Sequence, residues 1–114
     1  MTIVRQLRRL ILAGCVAVAG SSVVTAGDRF AIVAPAAGSA FHDAVLAGCK
    51  ARAATLGAEC VGFAPGPAEP RGQGALIAAL VAEKITGLAV SPALISDVLP
   101  ATVAARAAGI PVVA

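Results

Sequence analysis

The chain has no tryptophan and no tyrosine, and its phenylalanines stand apart at Phe30, Phe41 and Phe63. That is too little ring area for the stacking platforms that read single-stranded nucleic acid. His42 is the only histidine. With two distant cysteines it lacks metal-ligand spacing, so no metal site is expected and no cofactor is implied. A Ser/His hydrolase would also want a G-x-S-x-G elbow, which is absent, so catalysis is not expected. Charge is scarce too: 13% of residues against 59% hydrophobic, the reverse of a disordered composition. The net charge of +3 gives no nucleic-acid footprint. Arg5, Arg8 and Arg9 lie at the start, and from Gly27 onward six basic residues balance six acidic ones. At 114 residues there is room for one domain at most.

What is present begins with an address. A basic stretch from Met1 to Arg9 precedes an apolar run from Leu10 to Gly20, and Val24-Thr25-Ala26 supplies small residues before a cut at Gly27. This is the layout of a secretory signal peptide, and residues 1–26 are excluded from the fold. The rivals are a membrane anchor, for which Leu10–Gly27 is short and diluted by small polar residues, and a lipoprotein processed at Cys15. Cleavage before Cys15 would leave an apolar run shorter than about 7 residues. The expected location is the periplasm, an oxidising compartment in which disulfides persist.

The remainder, 27–114, reads as strands alternating with helices. Arg29–Pro35, Glu59–Ala64, Gly87–Ser91 and Ile110–Ala114 are short apolar strands. Ala40–Leu56 carries Phe41, Val45, Cys49, Ala53 and Leu56 as the stripe of a helix ended by Gly57. A second helix is expected over Arg71–Ile85, after a proline-rich loop at Pro65–Pro70. A third is expected from an N-cap at Ser96 to Ala108, with Pro100 in its first turn and Gly109 closing it. This pattern predicts an α/β fold, a parallel sheet with flanking helices and right-handed crossovers. Ligands of such sheets bind beyond the carboxyl ends of the strands, here Pro35–Ala40, Pro65–Pro70 and Ser91–Leu94.

Cys49 and Cys60 flank the turn at Gly57. Cys49 lies about two helical turns before that turn, and the returning strand rises about 3.3 Å per residue, so the two cysteines reach nearly one height. A layer spacing of about 10 Å opposes the Cα separation of at most about 7 Å that a bridge needs. The tight turn and an edge position for the second strand favour it. A disulfide is the expectation, and two small buried thiols are the alternative.

The segments FAIVAP, GSAFHDAVLAGCKARAATLGAECVGFAP, GLAVSP and AARAAGIPVVA follow one another in the order of a known pattern. In that order, with Gly48, Leu56-Gly57, Ser91-Pro92 and Gly109-Ile110-Pro111 in place, the chain resembles the amino-terminal lobe of the type 1 periplasmic solute-binding proteins, the ribose-binding-protein-like receptors of sugar importers. The resemblance implies a two-lobed, non-enzymatic receptor that holds a small-molecule solute, a sugar, between its lobes and delivers it to a membrane permease. Lac-repressor-like regulators share the lobe but begin with a DNA-binding helix-turn-helix, where this chain begins with a signal peptide.

The family places an Asn and two aromatics on the sugar after the first strand. Ser39 stands at the Asn position, Phe41 at the first aromatic and His42 at the second, so Ser39 and His42 depart from the pattern. Ser91, at the end of the third strand, joins them as a candidate contact. Each has a plainer reading: Ser39 as a helix N-cap, Phe41 as core, His42 as a solvent-exposed side chain. Gly72-Gln73-Gly74 is not a dinucleotide fingerprint, because Ile77 occupies the third glycine position and the segment does not follow the first strand. The chain stops within its fourth strand, so the expectation is part of one lobe, truncated or a fragment, whose binding alone is weak. The alternatives are a small complete flavodoxin-like α/β domain with enzymatic activity and a non-functional gene fragment.

Overall fold

The computed structural model describes Val24 and residues 27–114. Residues 1–26, with Cys15 and the expected signal peptide, lie outside the described residues apart from Val24. Strands and helices alternate as β1 (Arg29–Val33), α1 (Ala40–Thr55), β2 (Glu59–Phe63), α2 (Gln73–Ala82), β3 (Gly87–Val90), α3 (Ile95–Ala107) and β4 (Val112–Val113). They form one sheet in the order β2-β1-β3-β4. Every pairing is parallel, with Phe30 opposite Cys60 and Gly87, and Leu88 opposite Val112.

Local chemistry sets the boundaries. Ser39 is the N-cap of α1 and accepts a hydrogen bond from the His42 N–H. Gly57, at φ 68°, and Gly109, at φ 82°, take the left-handed conformation that ends α1 and α3 and turns the chain back into a strand. α2 is shorter than its apolar pattern suggests: it begins after Gly72 and stops before Lys84, which has φ 58°. Ile85 nonetheless reaches the core. The start of α3 corrects the expectation at Ser96. The N-cap is Leu94, which makes no side-chain cap bond, and Ser96 lies inside the helix. Pro100 consequently falls in the second turn rather than the first. The carbonyl it leaves unpaired, four residues earlier at Ser96, lies on an exposed residue where water can satisfy it.

Right-handed crossovers fix which face each helix covers. The chain moves from β1 to β2 in one direction, then back across β1 to β3 and on to β4. α1 therefore lies on one face of the sheet, and α2 and α3 on the other. Alternation along the strands sorts the side chains. Ala31, Val33, Leu88 and Val90 meet Leu76, Ile77, Leu80, Val98, Ala105 and Ile110 in the main core. Ile32 and Cys60 meet Ala53 in a smaller cluster flanked by Phe30, Leu46, Cys49 and Ala89.

The buried stripe of α1 differs from the expected one. Phe41, Val45 and Leu56 are exposed, while Leu46, Cys49 and Ala53 face the sheet. Residues four apart drift by about 40° per step around a helix, so a run of fours spirals off the face it starts on. Cys49 and Cys60 are joined as a disulfide with their Cα atoms 5.9 Å apart. Such an approach is closer than ordinary helix–sheet packing. It is helped by Gly62, next on the same face of β2, where a Cβ would run into the end of Leu46.

Candidate functional site

The strand order reverses between β1 and β3, and in sheets of this kind the crevice at that switch point, beyond the carboxyl ends, is where ligands bind. Two loops border it, the one from β1 into α1 and the one from β3 into α3. The first carries Ser39 and His42. The Ser39 hydroxyl lies 3.5 Å from the His42 N–H and 2.9 Å from Nδ1. An oxygen that accepts from the backbone N–H keeps its own proton for the ring. When it donates to Nδ1, the imidazole proton sits on Nε2 and leaves that nitrogen as a donor. Phe41 packs its ring edge-on to His42, with centroids 5.1 Å apart.

A cavity of about 180 Å³ opens at this point, lined by Ile32, Phe41, His42, Val45, Ala89, Val90, Ser91, Val113 and Ala114. A neighbouring cavity of about 170 Å³ lies between the loops after β1 and β2, against Ala36, Gly38, His42, Asp43 and Phe63. His42 lines both. The fold thus brings Phe41, His42 and Ser91 to one wall, from segments about fifty positions apart. Ser39 lines neither cavity; its hydroxyl is engaged by His42, so it acts as cap and partner of the ring. Phe41, read as either core or contact, is 70% exposed and stays out of the core.

The walls carry little charge. His42 and Asp43 are the titratable side chains on them. The loop after β2 holds a carboxylate away from the crevice: Arg71 donates from Nε and Nη2 to the two Glu69 oxygens at 2.7 Å each. Those bonds lower the Glu69 pKa to about 2. Among the described residues no group of His, Cys, Asp and Glu could hold a metal ion.

The part played by one residue behind the loop from β3 into α3 went unread in the sequence. Gln73 is the buried polar side chain among the described residues. It donates from Nε2 to the Ser91 carbonyl and accepts from the Ala93 N–H at Oε1, both at 2.8 Å. Its signal was available: Gln73 heads the stripe continued by Leu76, Ile77 and Leu80, and a polar residue there must find partners. The glycines beside it serve packing. The Gly74 N–H donates to the Asp97 carboxylate at 3.0 Å, and α3 leaves no room for a Cβ at Gly74.

Residues 30–114 match the family described as the periplasmic binding protein domain. Among solved structures, the chain is similar to an ABC transporter periplasmic solute binding protein from Actinobacillus succinogenes 130z, crystallised with bound D-allose. Identity is 18% and the TM-score 0.62, over 75% of this chain and 29% of that chain. At that identity the likeness is one of fold, and the chain spans less than a third of that protein. No curated protein matches the chain.

Proposed function

Because the chain belongs to the periplasmic binding protein domain family, we propose that it is the amino-terminal part of an exported, non-enzymatic receptor that holds a neutral, hydroxyl-rich solute of the sugar class for an ABC importer. The observation that carries this reading is the wall at the switch point. Phe41 offers an apolar ring, His42 a ring nitrogen and Ser91 a hydroxyl around one small cavity. That set suits a polyol, whose hydroxyls take hydrogen bonds while an apolar face rests on a ring. An ionic solute would want a fixed opposite charge, and the wall has none besides Asp43. The solute-binding protein of similar fold was crystallised with D-allose, which supports the same class. Export through residues 1–26 and delivery to a permease belong to the same proposal, as do direct contacts from Ser91 and Phe41, with Ser39 acting through His42.

Small-molecule sites enclose about 70–90% of their ligand, and this wall encloses one side. The chain alone is therefore expected to bind more weakly than micromolar. Isotope-edited NMR at millimolar solute is the fitting test. D-allose and other neutral monosaccharides should shift the His42 ring and the Ser91 amide, and a zwitterionic amino acid should not. Shifts from the amino acid alone, or from neither, would overturn the reading.

A further inference from the structure

We infer that Gln73 is a positioning residue for the candidate site: its side-chain amide holds the Ser91–Ala93 loop at the switch point. The part of this inference that concerns solute rests on the reading of Ser91 as a contact. The loop is short of its own anchors, because Pro92 between the two bonded residues has no N–H to offer. Ser91 is tied on one side by its N–H, which donates to the Val33 carbonyl at 3.0 Å and extends the β1–β3 ladder. Its own carbonyl and the Ala93 N–H point the other way and meet the Gln73 amide.

A primary amide fits this pair as few side chains can, since it presents one donor and one acceptor side by side. Gln73 is 3% exposed, so water does not replace the two bonds when they are lost. The side chain is fixed from behind as well. The Gly72 N-cap offers no side chain. The adjoining Gly74 N–H is held instead by Asp97, and that bond locks the start of α2 against the start of α3. The amide of Gln73 thus reaches the carboxyl end of β3 from the side of the sheet opposite α1 and sets where the Ser91 hydroxyl stands relative to His42.

A protonated glutamate is nearly isosteric with glutamine and reproduces its donor and acceptor, while the carboxylate has no donor for the Ser91 carbonyl. Burial raises a carboxyl pKa, as does the negative charge of Asp97 beside Gly74, so Gln73→Glu acquires a pH dependence over and above that of the parent chain. Amide hydrogen exchange at Ala93, taken as the ratio of variant to parent at each pH, reads it. In Gln73→Met the ratio should rise about tenfold at both pH 4 and pH 7, the worth of one buried hydrogen bond, while amides within β1 hold their rates. In Gln73→Glu it should stay within about twofold at pH 4 and rise by less than in Gln73→Met at pH 7, because the carboxylate still accepts from the Ala93 N–H and loses only the bond to the Ser91 carbonyl. An unchanged Ala93 in Gln73→Met, or uniform acceleration across β1, would overturn the inference. A monosaccharide titration then separates the two readings. If solute binds, Gln73→Met should weaken it about tenfold in the parent and not at all in Ser91→Ala; equal weakening in both would mean that Gln73 does not act through Ser91. If no solute binds the parent chain, the sugar reading fails and the exchange ratios decide Gln73 by themselves.

Discussion

Toward α2 and α3 the sheet presents Ala31, Val33, Leu88 and Val90, met by Leu76, Ile77 and Leu80 with hardly any exposure. Toward α1 it presents Cys60, Gly62, Gly87 and Ala89 around Ile32. Around Ala31, Val33, Leu76 and Ile77 the first face is closed by volume, with branched side chains interleaved between two helices and a sheet, and it opens toward β4, where a cavity of about 240 Å³ lies against Val98, Leu99 and Val112. The second has one helix, small strand residues and a covalent link. Its apolar residues Phe41, Val45 and Val113 remain exposed, beside the cavity that carries the candidate site. The densest packing and the candidate site are divided between the two sides of one sheet. Close packing leaves no room for a ligand, and a face that is to receive one cannot be filled by its own side chains.

The comparison predicts unequal sensitivity. Ile77→Ala removes a fully buried side chain from the filled face and should cost about 2–5 kcal/mol, enough to unfold much of a small domain. Val45→Ala on α1 should stay within about 0.5 kcal/mol, as surface substitutions do. Similar denaturant midpoints for the two would break the distinction.

The next effect tests the covalent substitute for packing. Replacing both Cys49 and Cys60 by alanine opens a loop of sequence separation 11 and should cost about 2–3 kcal/mol. Protection of the α1 amides should fall before that of the α2 amides. Alkylation without reductant should add nothing to the intact mass of exported protein. Two labelled thiols would show that α1 is held by its few apolar contacts alone.

The smallest effect sharpens the comparison within one layer. Gly48 lies on the exposed side of α1 with open space where a Cβ would be, whereas a Cβ on Gly62 would strike Leu46 beneath the same helix. Gly48→Ala should therefore stabilise the fold by about 0.5–1 kcal/mol. Gly62→Ala should destabilise it by about 1–3 kcal/mol. Denaturant midpoints that move in the same direction would mean that α1 does not rest on β2 through Leu46.

Sequence alone determined the order of strands and helices, their parallel pairing and the switch-point loops. These follow from local rules: short branched runs make strands, and glycines at positive φ end helices. Crossovers of one hand leave little choice of topology. Ser39 and His42 were legible as neighbours because a cap and its third residue on always meet. Tertiary structure decided the rest. Which side of α1 is buried could not be read from Phe41, Val45 and Leu56, because a helix turns its stripe toward whatever covers it, and α1 lies chiefly over β2 through Leu46, Cys49 and Ala53. That Ser91 shares a wall with His42 depends on the register between β1 and β3. The role of Gln73 depends on packing α2 and α3 so closely that one amide reaches the backbone of a loop eighteen positions away. No local pattern encodes such a contact, since its geometry exists only once the sheet has been assembled between its helices.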